Sequence, residues 1–291
     1  MTVSQISVFA NSRPGHMNRV LDLFEGAGVS VRGFSAADTG EYGILRFIVD
    51  RPEAAMEALK DAGCACVVSP VICLKLVDTP GELSRVMGVL ANNVYIVSDG
   101  EGTMVVDPSC SADKILAALG DRKLDAIVLT HSHFDHTGAA AELRKATGAP
   151  VIASAVDAPL IEEPRDEDLS TRGVPCPVDR TVAHGDVVEV GNMKWKVIET
   201  PGHTPGSICL FDIPQFGNHP KGLPVLISGD TLFAGTIGRT DFEGGSMADM
   251  RASLKKLAAL PDDTAVLPGH NNLTTIGAER RRVFALYGDP E

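Results

Sequence analysis

The chain has 291 residues, and 26 Lys and Arg residues against 38 Asp and Glu residues give it a formal net charge of -12 at pH 7. This acid excess disfavours nucleic acid and anionic membrane surfaces as partners, because both require a basic surface. The length exceeds the ~100–150 residues that are usual for one domain, so it predicts two domains. No window reaches the ~18 consecutive apolar residues of a membrane-spanning helix, so no membrane partner is expected.

The amino terminus and the cysteines bear on the cellular compartment. The first residues, MTVSQISVFANSRPGH, lack the basic start and the long apolar stretch of a secretory signal. The six cysteines are scattered without a CxxC pair, which is typical of free thiols in a reducing compartment. The sequence therefore predicts a cytoplasmic protein.

Residues 4–70 show the pattern of a β-α-β-β-α-β unit. Apolar residues that recur at three- and four-residue spacing predict a helix beginning near Met17. Asp50 and Glu53 flank Pro52 as a capping signal for a second helix. Short β-branched runs around both helices predict four strands.

This element order, together with the turn Arg13-Pro14-Gly15, resembles the ACT domain, a small-molecule-sensing module that usually pairs its sheets edge to edge. The resemblance implies an α+β ferredoxin-like fold, a homodimer, and an amino-acid ligand near Asn11, Ser12, Gly15 and His16. A dimerisation surface without a ligand is the alternative, since a fold alone does not establish a site.

A second copy of the ACT pattern begins after residue 70. Sliding the sequence by 66 residues aligns Pro14-Gly15 with Pro80-Gly81. We predict that this half repeat docks on the first sheet and fixes the domains together. The predicted parts are an ACT-like domain at 1–70, the joining half repeat at 71–83 and a second domain at 84–291.

Five of the eight histidines follow apolar, β-branched runs that are bounded by Pro or Gly. Such runs predict buried strands, so each of these histidines lies just past a strand end. A further run of this kind ends at Asp230. The histidines are His131, His133 and His136 in THSHFDHTG, His203 in TPGHTPG and His270 in LPGHNN.

Imidazole and carboxylate groups from several strand ends are the ligands that a divalent metal site requires. His131 and His133 are two residues apart, so an extended backbone directs both to one side, whereas Asp135 and His136 enter the following helix. This spacing predicts two neighbouring metal ions. Four ligand-type residues within six positions disfavour the alternative, a set of solvated loop histidines.

HSHFDH resembles the HxHxDH motif of the metallo-β-lactamase superfamily. The resemblance extends over residues 84–283 and implies an α/β fold, a C-terminal αββα sandwich. It also implies two divalent metal ions, with zinc expected and iron or manganese as alternatives. The implied ligands are His131, His133 and His203 for the first ion, Asp135, His136 and His270 for the second, and Asp230 as the bridge.

The stretches ISGDTLFAGTIGRTDFEGG and PGHNNLTTIG are similar to small glyoxalase II-type thioesterases of that superfamily. This resemblance implies hydrolysis of a small acyl thioester by a metal-bridging hydroxide, with Asp135 and Asp230 as the catalytic carboxylates. Asp107, in VVDPS, is interpreted either as a support for the histidine loop or as a strand-end turn residue. The full-length enzymes have a helical extension for glutathione, whereas 21 residues follow His270, so the thiol carrier stays open.

Two other functions are carried as alternatives. Persulfide dioxygenases, which use a single iron, resemble this chain in the Gly238–Phe242 stretch. A ligand-sensing protein with a barely active metallohydrolase domain is the second alternative. Near the site, Phe216 or Lys221 is expected to touch substrate unless the loop is a solvated insertion. Arg239 and Asp241 are expected to form a structural salt bridge, with a role in shaping the rim of the site as the alternative.

Overall fold

The computed structural model describes residues 2–11, 15–38, 42–72, 92–164, 173–212 and 223–288. The chain divides into two compact units, Met1–Asp78 and Thr79–Glu291. Most of the predicted half repeat at 71–83, and the loop with Phe216 and Lys221, lie outside the described residues. The docking of the half repeat and the substrate contacts of that loop therefore stay predictions.

The first unit is an antiparallel four-stranded sheet with two helices, in strand order β2-β3-β1-β4. This arrangement confirms the predicted ferredoxin-like β-α-β-β-α-β order. Its elements are β1 (Thr2–Asn11), α1 (His16–Gly26), β2 (Val31–Asp38), β3 (Tyr42–Val49), α2 (Pro52–Asp61) and β4 (Ala65–Ile72).

The buried core of the first unit accounts for the register in which β1 pairs with β3. Ile6 pairs with Phe47 across β1 and β3, and both are buried together with Phe24 of α1. The rings of Phe24 and Phe47 meet edge to face, with centroids 5.1 Å apart, which favours this packing beyond the area it buries.

The predicted capping of α2 by Asp50 is wrong. The residue preceding α2 is Arg51, and no side chain caps the helix there. Oδ1 of Asp50 instead accepts a hydrogen bond of 2.8 Å from the backbone N–H of Ser30, and the N–H of Asp50 donates to the carbonyl of Ser30. Asp50 lies one residue too early to cap, so its carboxylate closes the ladder between β2 and β3.

The described part of the second unit contains two large sheets and a two-stranded one. One large sheet has the order β5-β6-β7-β8-β9, and the other has the order β10-β11-β12-β13-β16-β17. The strands are β5 (Tyr95–Ser98), β6 (Thr103–Val106), β7 (Ala126–Val128), β8 (Val151–Ser154), β9 (Arg180–Val182), β10 (Val187–Val190), β11 (Met193–Glu199), β12 (Ile208–Asp212), β13 (Val225–Gly229), a hairpin of β14 (Leu232–Phe233) with β15 (Thr236–Ile237), β16 (Ala265–Pro268) and β17 (Thr274–Thr275).

Helices cover the outer faces of this sandwich. A buried cluster lies between the two sheets and contains side chains from both, among them Met104, Trp195 and Leu210. Two further clusters join one sheet to α3 and α5 and the other to α7, so the predicted αββα layering is confirmed. The helices are α3 (Ala112–Leu119), α4 (Phe134–Thr137), α5 (Ala140–Thr147), α6 (Ala158–Glu162), α7 (Met247–Ala258), α8 (Ile276–Glu279), a π-helical turn (Arg280–Phe284) and α9 (Ala285–Tyr287).

Parallel pairing decides where the loops of the second unit meet. Strands β6, β7, β8 and β9 run parallel, and β13 runs parallel to β16. Because the carboxyl ends of parallel strands share an edge, the loops that follow them gather there. Among the described helices, none combines the length and the apolar character needed to cross a membrane.

Candidate metal centre

Seven side chains at this edge converge from four segments of the second unit. The segment between β7 and α5 carries His131 and His133 in a loop and Asp135 and His136 in the short helix α4. His203 follows β11, Asp230 follows β13, and His270 follows β16. These are the seven residues predicted as metal ligands, and the structure brings all of them together.

The first cluster, called here the three-histidine group, consists of His131, His133 and His203. One ring nitrogen from each lies within 4.8 Å of the others, and all three side chains are buried. Nδ1 of His133 is 2.8 Å from Nε2 of His203, and the ring of His131 is 4.8 Å from each of the other two rings. Three inward-facing imidazoles at this spacing match the ligand number of a tetrahedral metal with one open position.

The second cluster, called here the mixed group, consists of Asp135, His136 and His270. Their ligand atoms also lie within 4.8 Å of one another. Nε2 of His270 is 3.4 Å from Oδ2 of Asp135 and 3.3 Å from Nε2 of His136. His136 is fully buried, whereas His270 and Asp135 keep about one seventh of their side chains exposed, which leaves this group open toward solvent.

Asp230 lies between the two groups. Its Oδ2 is 3.5 Å from Nε2 of His203 and 3.4 Å from Nε2 of His270. Its Oδ1 is 3.3 Å from Nε2 of His136. One carboxylate thus reaches nitrogens of both groups, which is the position that a bridging ligand requires.

Two buried atoms in the centre make no hydrogen bond. They are Nε2 of His131 and Oδ1 of Asp230. A buried acceptor without a partner costs ~1–3 kcal/mol, so such atoms are uncommon in folded proteins unless a ligand or ion satisfies them. The donor set of imidazole nitrogens and carboxylate oxygens fits zinc, iron or manganese, and the residues therefore fit a two-metal centre.

The electrostatics of the two groups differ. Burial, reinforced by the neighbouring histidines, lowers the pKa of His131 well below its usual value and that of His133 to about 3. Burial also disfavours a charged His270, but Asp135 and Asp230 outweigh it and raise the pKa of His270 to about 9. His131 and His133 therefore present neutral imidazoles, whereas the carboxylates around the mixed group favour positive charge.

Asp107 supports the histidine loop from behind. Its Oδ1 accepts from the N–H of Thr130 at 2.8 Å, and its Oδ2 accepts from Oγ1 of Thr130 at 2.7 Å. Oδ2 is also 2.9 Å from Nδ1 of His136. Asp107 directly follows β6 and has a φ of 52°. It therefore also lies in the strand-end turn, as the second interpretation expects.

Three aromatic and charged residues flank the three-histidine group. Arg239 and Asp241 form the expected salt bridge at 2.7 Å, and the guanidinium of Arg239 lies 3.8 Å from the centre of the Phe242 ring. The Phe242 ring is 5.6 Å from the ring of His133. The backbone carbonyl of Arg239 accepts a 2.7 Å hydrogen bond from Nδ1 of His203, which fixes the tautomer with Nε2 facing the group.

Sequence reasoning missed two polar residues at the centre. Nδ2 of Asn92 lies 3.1 Å from both ring nitrogens of His136. Asp157 accepts hydrogen bonds from the loops of the three-histidine group. Asn92 offers no sequence signal, and Asp157 precedes a short helix, where an ordinary helix cap is the first interpretation.

Comparisons with known proteins give two family matches, which overlap at residues 87–99. Residues 87–270 match the family model of the metallo-beta-lactamase superfamily, and residues 1–99 match that of the ACT domain pair. The hydroxyacylglutathione hydrolase GloC of Haemophilus influenzae is 31% identical over 208 residues, which are 69% of this chain and 94% of that protein.

Two crystal structures illustrate the similarity of the fold. The BLEG-1 B3 metallo-beta-lactamase is 31% identical with a TM-score of 0.59, over 73% of this chain and 99% of that chain. The protein TTHA1623 in a di-iron-bound form is 34% identical with a TM-score of 0.56, over 72% of this chain and 98% of that chain. Both resemblances predicted from the sequence, to the superfamily and to the ACT domain, are confirmed.

Proposed function

The chain belongs to the metallo-β-lactamase superfamily, and we propose that it is a thioesterase that hydrolyses a small acyl thioester with two divalent metal ions, zinc in the first instance. The observation that carries the proposal is the position of Asp230 within 3.5 Å of His203 and 3.4 Å of His270, between two complete ligand groups. The hydroxyacylglutathione hydrolase among the relatives supports an acyl thioester as the substrate class.

In this proposal the three-histidine group would hold the first metal, the mixed group would hold the second, and Asp230 would be the ligand that both share. Two ions held by these residues would supply a water of lowered pKa and Lewis-acid polarisation of the substrate carbonyl. All other contributions to the reaction come from the protein's own side chains.

Asp135 is the carboxylate that orients the attacking water in this proposal. Its side chain keeps 14% of its surface exposed, so it is accessible from solvent at the mixed group. Although burial opposes ionisation, the neighbouring His136 outweighs it and lowers the pKa of Asp135. An ionised Asp135 can accept a hydrogen bond from the water and later its proton.

The chemistry of the leaving group favours a thioester over an ordinary ester. A thiol has a pKa of about 8.5, so a thiolate departs at neutral pH with little assistance from a proton donor. The carboxylates of Asp135 and Asp230 and the neutral imidazoles of His131 and His133 suit a leaving group of this kind. Phe242 and the buried Phe233 make edge-to-face contacts with His133 and His270, at 5.6 Å and 5.9 Å between ring centres.

The test is a measurement of metal content together with turnover of a thioester panel, with and without glutathione as the carrier. We expect two metal ions per chain, thioester hydrolysis, and loss of hydrolysis in Asp230→Asn. Asp121→Asn, at an exposed turn, is the matched control and should behave as the wild type. One iron per chain with oxygen consumption would favour the persulfide dioxygenase alternative.

A metal-free protein that binds an amino acid tightly would instead favour the sensor alternative. For the first unit we propose an amino-acid ligand and a homodimer, which its match to the ACT domain pair supports. Of the four residues expected near the ligand, Gly15 lies just before α1 with a φ of 90°, a left-handed conformation that suits glycine, and Ser12 lies outside the described residues. Thermal-shift measurements with the twenty amino acids and sedimentation of the full chain test both proposals.

A further inference from the structure

Asp157 is a buried carboxylate that the proposed reaction does not use. It lies between β8 and α6, with 1% of its surface exposed. Its Oδ2 accepts hydrogen bonds of 2.8 Å from the N–H of Ser132 and from Oγ1 of Thr204. Its Oδ1 accepts a 2.9 Å hydrogen bond from the N–H of Gly206.

The position of Asp157 just before a helix makes this use of its side chain unexpected. An Asp there usually accepts from the first free N–H groups of the helix. Asp157 makes no such bond, so the first turn of α6 has no side-chain cap. The carboxylate is directed instead toward two loops that are remote in sequence.

Those two loops carry the three-histidine group. Ser132 stands between His131 and His133, and Thr204 directly follows His203. One carboxylate oxygen therefore joins the backbone beside two ligands to the side chain beside the third. The hydrogen bonds that join the two loops through Asp157 are charge-assisted, and charge-assisted hydrogen bonds are about twice as strong as neutral ones.

The close approach of the second loop depends on glycine. A Cβ at position 206 would collide with Oδ1 of Asp157 and would lie 2.5 Å from Oγ of Ser154. Oγ of Ser154 in turn accepts the N–H of Asp157 at 3.1 Å. Gly206 thus lets the loop of His203 close on a carboxylate that is itself held in place.

We propose that Asp157 is a positioning residue that sets the separation of His133 and His203, and hence the affinity of the three-histidine group for its metal. This inference rests on the proposed metal assignment. Asp157 touches neither a reacting atom nor a metal ligand atom, so it acts through the two loops. Its removal should weaken one metal position and leave the mixed group intact.

The test compares Asp157→Asn with Asp179→Asn in the full chain. Asp179 is a suitable control because it also accepts a backbone N–H beside β8, from Val151 at 2.9 Å, but has no contact with the histidine loops. In Asp157→Asn the side-chain NH₂ must face at least one of the three hydrogen-bond donors. The variant therefore cannot keep all three hydrogen bonds to the two loops. Binding of Co²⁺ and Zn²⁺ is titrated against a chelator for both variants and the wild type.

We expect Asp157→Asn to bind one ion as tightly as the wild type and the other ~10–100-fold more weakly, the usual cost of losing a supporting partner. In the Co²⁺ protein, paramagnetically shifted N–H signals identify the weakened position. The Nδ1–H of His203, bonded to the carbonyl of Arg239, should lose its shifted signal, and the signal of His136 should persist. Asp179→Asn should keep both signals.

A milder variant keeps the inference testable if Asp157→Asn does not fold. Thr204→Val preserves the shape of the side chain and deletes one of the three hydrogen bonds to Asp157, together with the 2.7 Å hydrogen bond between Oγ1 of Thr204 and Oγ of Ser207. A smaller loss at the same metal position is expected. Two metal ions bound with wild-type affinity in both variants would overturn the role of Asp157 and leave the proposed function standing. A wild-type chain that binds neither ion would overturn the metal assignment itself.

Discussion

Nδ1 of His136 lies 2.9 Å from Oδ2 of Asp107, and both side chains are buried. The same Oδ2 accepts the hydroxyl of Thr130, whose backbone precedes His131. Asp107 therefore orients a residue of the mixed group while it holds the strand end that leads into the three-histidine group. A carboxylate behind a ligating histidine fixes the ring and increases its basicity.

Asp107→Asn should weaken metal binding ~10–100-fold, as expected for the loss of a carboxylate partner of a ligating histidine. Asn tolerates the left-handed backbone at this position, where φ is 52°, so the substitution tests the carboxylate and not the turn. Chelator competition with Zn²⁺ measures the effect. Equal affinities in the variant and the wild type would show that Asp107 serves the strand-end turn alone.

The seven residues of the centre could be predicted from the sequence because each ligand is recognisable from its local sequence context. A histidine or aspartate just past an apolar run is visible within a few residues, as in the loop with His131 and at Asp230. Asp157 and Asn92 could not be predicted in this way. Their partners Ser132 and His136 are 25 and 44 residues away, and only the tertiary fold brings them together.

The capping of α2 failed for a related reason. Asp50 carries the residue type of a cap, but a tertiary partner, the N–H of Ser30, lies 20 residues earlier in the chain and competes for its carboxylate. Local patterns thus gave the strands and helices of the first unit in the right order. They did not predict which of two competing hydrogen-bond donors, one local and one remote in sequence, a polar side chain would accept from.

Gly269→Ala should disrupt the metal centre without a change of any ligand. A Cβ at this position would collide with Oδ1 of Asp230 and would lie 2.7 Å from Cε1 of His136. Both neighbours are buried, so accommodating the methyl group should displace Asp230 and cost ~1–3 kcal/mol of stability. Metal content and chemical denaturation of the purified variant measure the two effects.

Gly26→Ala is the matched control for that substitution. The structure shows no atom within 4 Å of a Cβ at position 26, at the end of α1. Its metal content should equal that of the wild type, and its stability should be unchanged or slightly higher because Ala is favoured over Gly in a helix. Full metal content in Gly269→Ala would contradict the close packing around Asp230.

Metal removal should lower the unfolding temperature of the second unit. A ligand that binds only the folded chain stabilises it by ~2.7 kcal/mol when its concentration is one hundred times its dissociation constant. Calorimetry with added Zn²⁺ and with chelator should therefore give midpoints that move with the free metal concentration. His131→Ala should reduce this dependence.

His184→Ala is the control for the metal experiment. Its Nδ1 accepts the N–H of Glu199 at 3.3 Å and belongs to neither ligand group. This variant should keep the full metal dependence of its midpoint. A midpoint of the wild type that is the same with zinc and with chelator would be inconsistent with metal binding to the folded chain.

The Arg144–Asp179 pair should contribute stability at neutral pH that disappears in acid. The hydrogen-bonded guanidinium of Arg144, at 2.6 Å, lowers the pKa of Asp179 from 3.8 to about 2. Because the folded state holds the proton less tightly than the unfolded state, this contribution is complete above pH 3.8 and is lost as the pH falls toward 2. The pair is partly exposed, so its loss in Asp179→Asn should cost only ~0.5–1 kcal/mol at pH 7.

Urea denaturation of the metal-free wild type and Asp179→Asn, at several pH values from 7 to about 2, measures this difference. Metal-free protein is used so that acid release of a metal does not contribute to the result. The stability gap between the two proteins should narrow only below about pH 4, where the unfolded carboxylate begins to take up protons. A gap that is constant across this range would show that the interaction of Asp179 with Val151 and Arg144 does not depend on its charge.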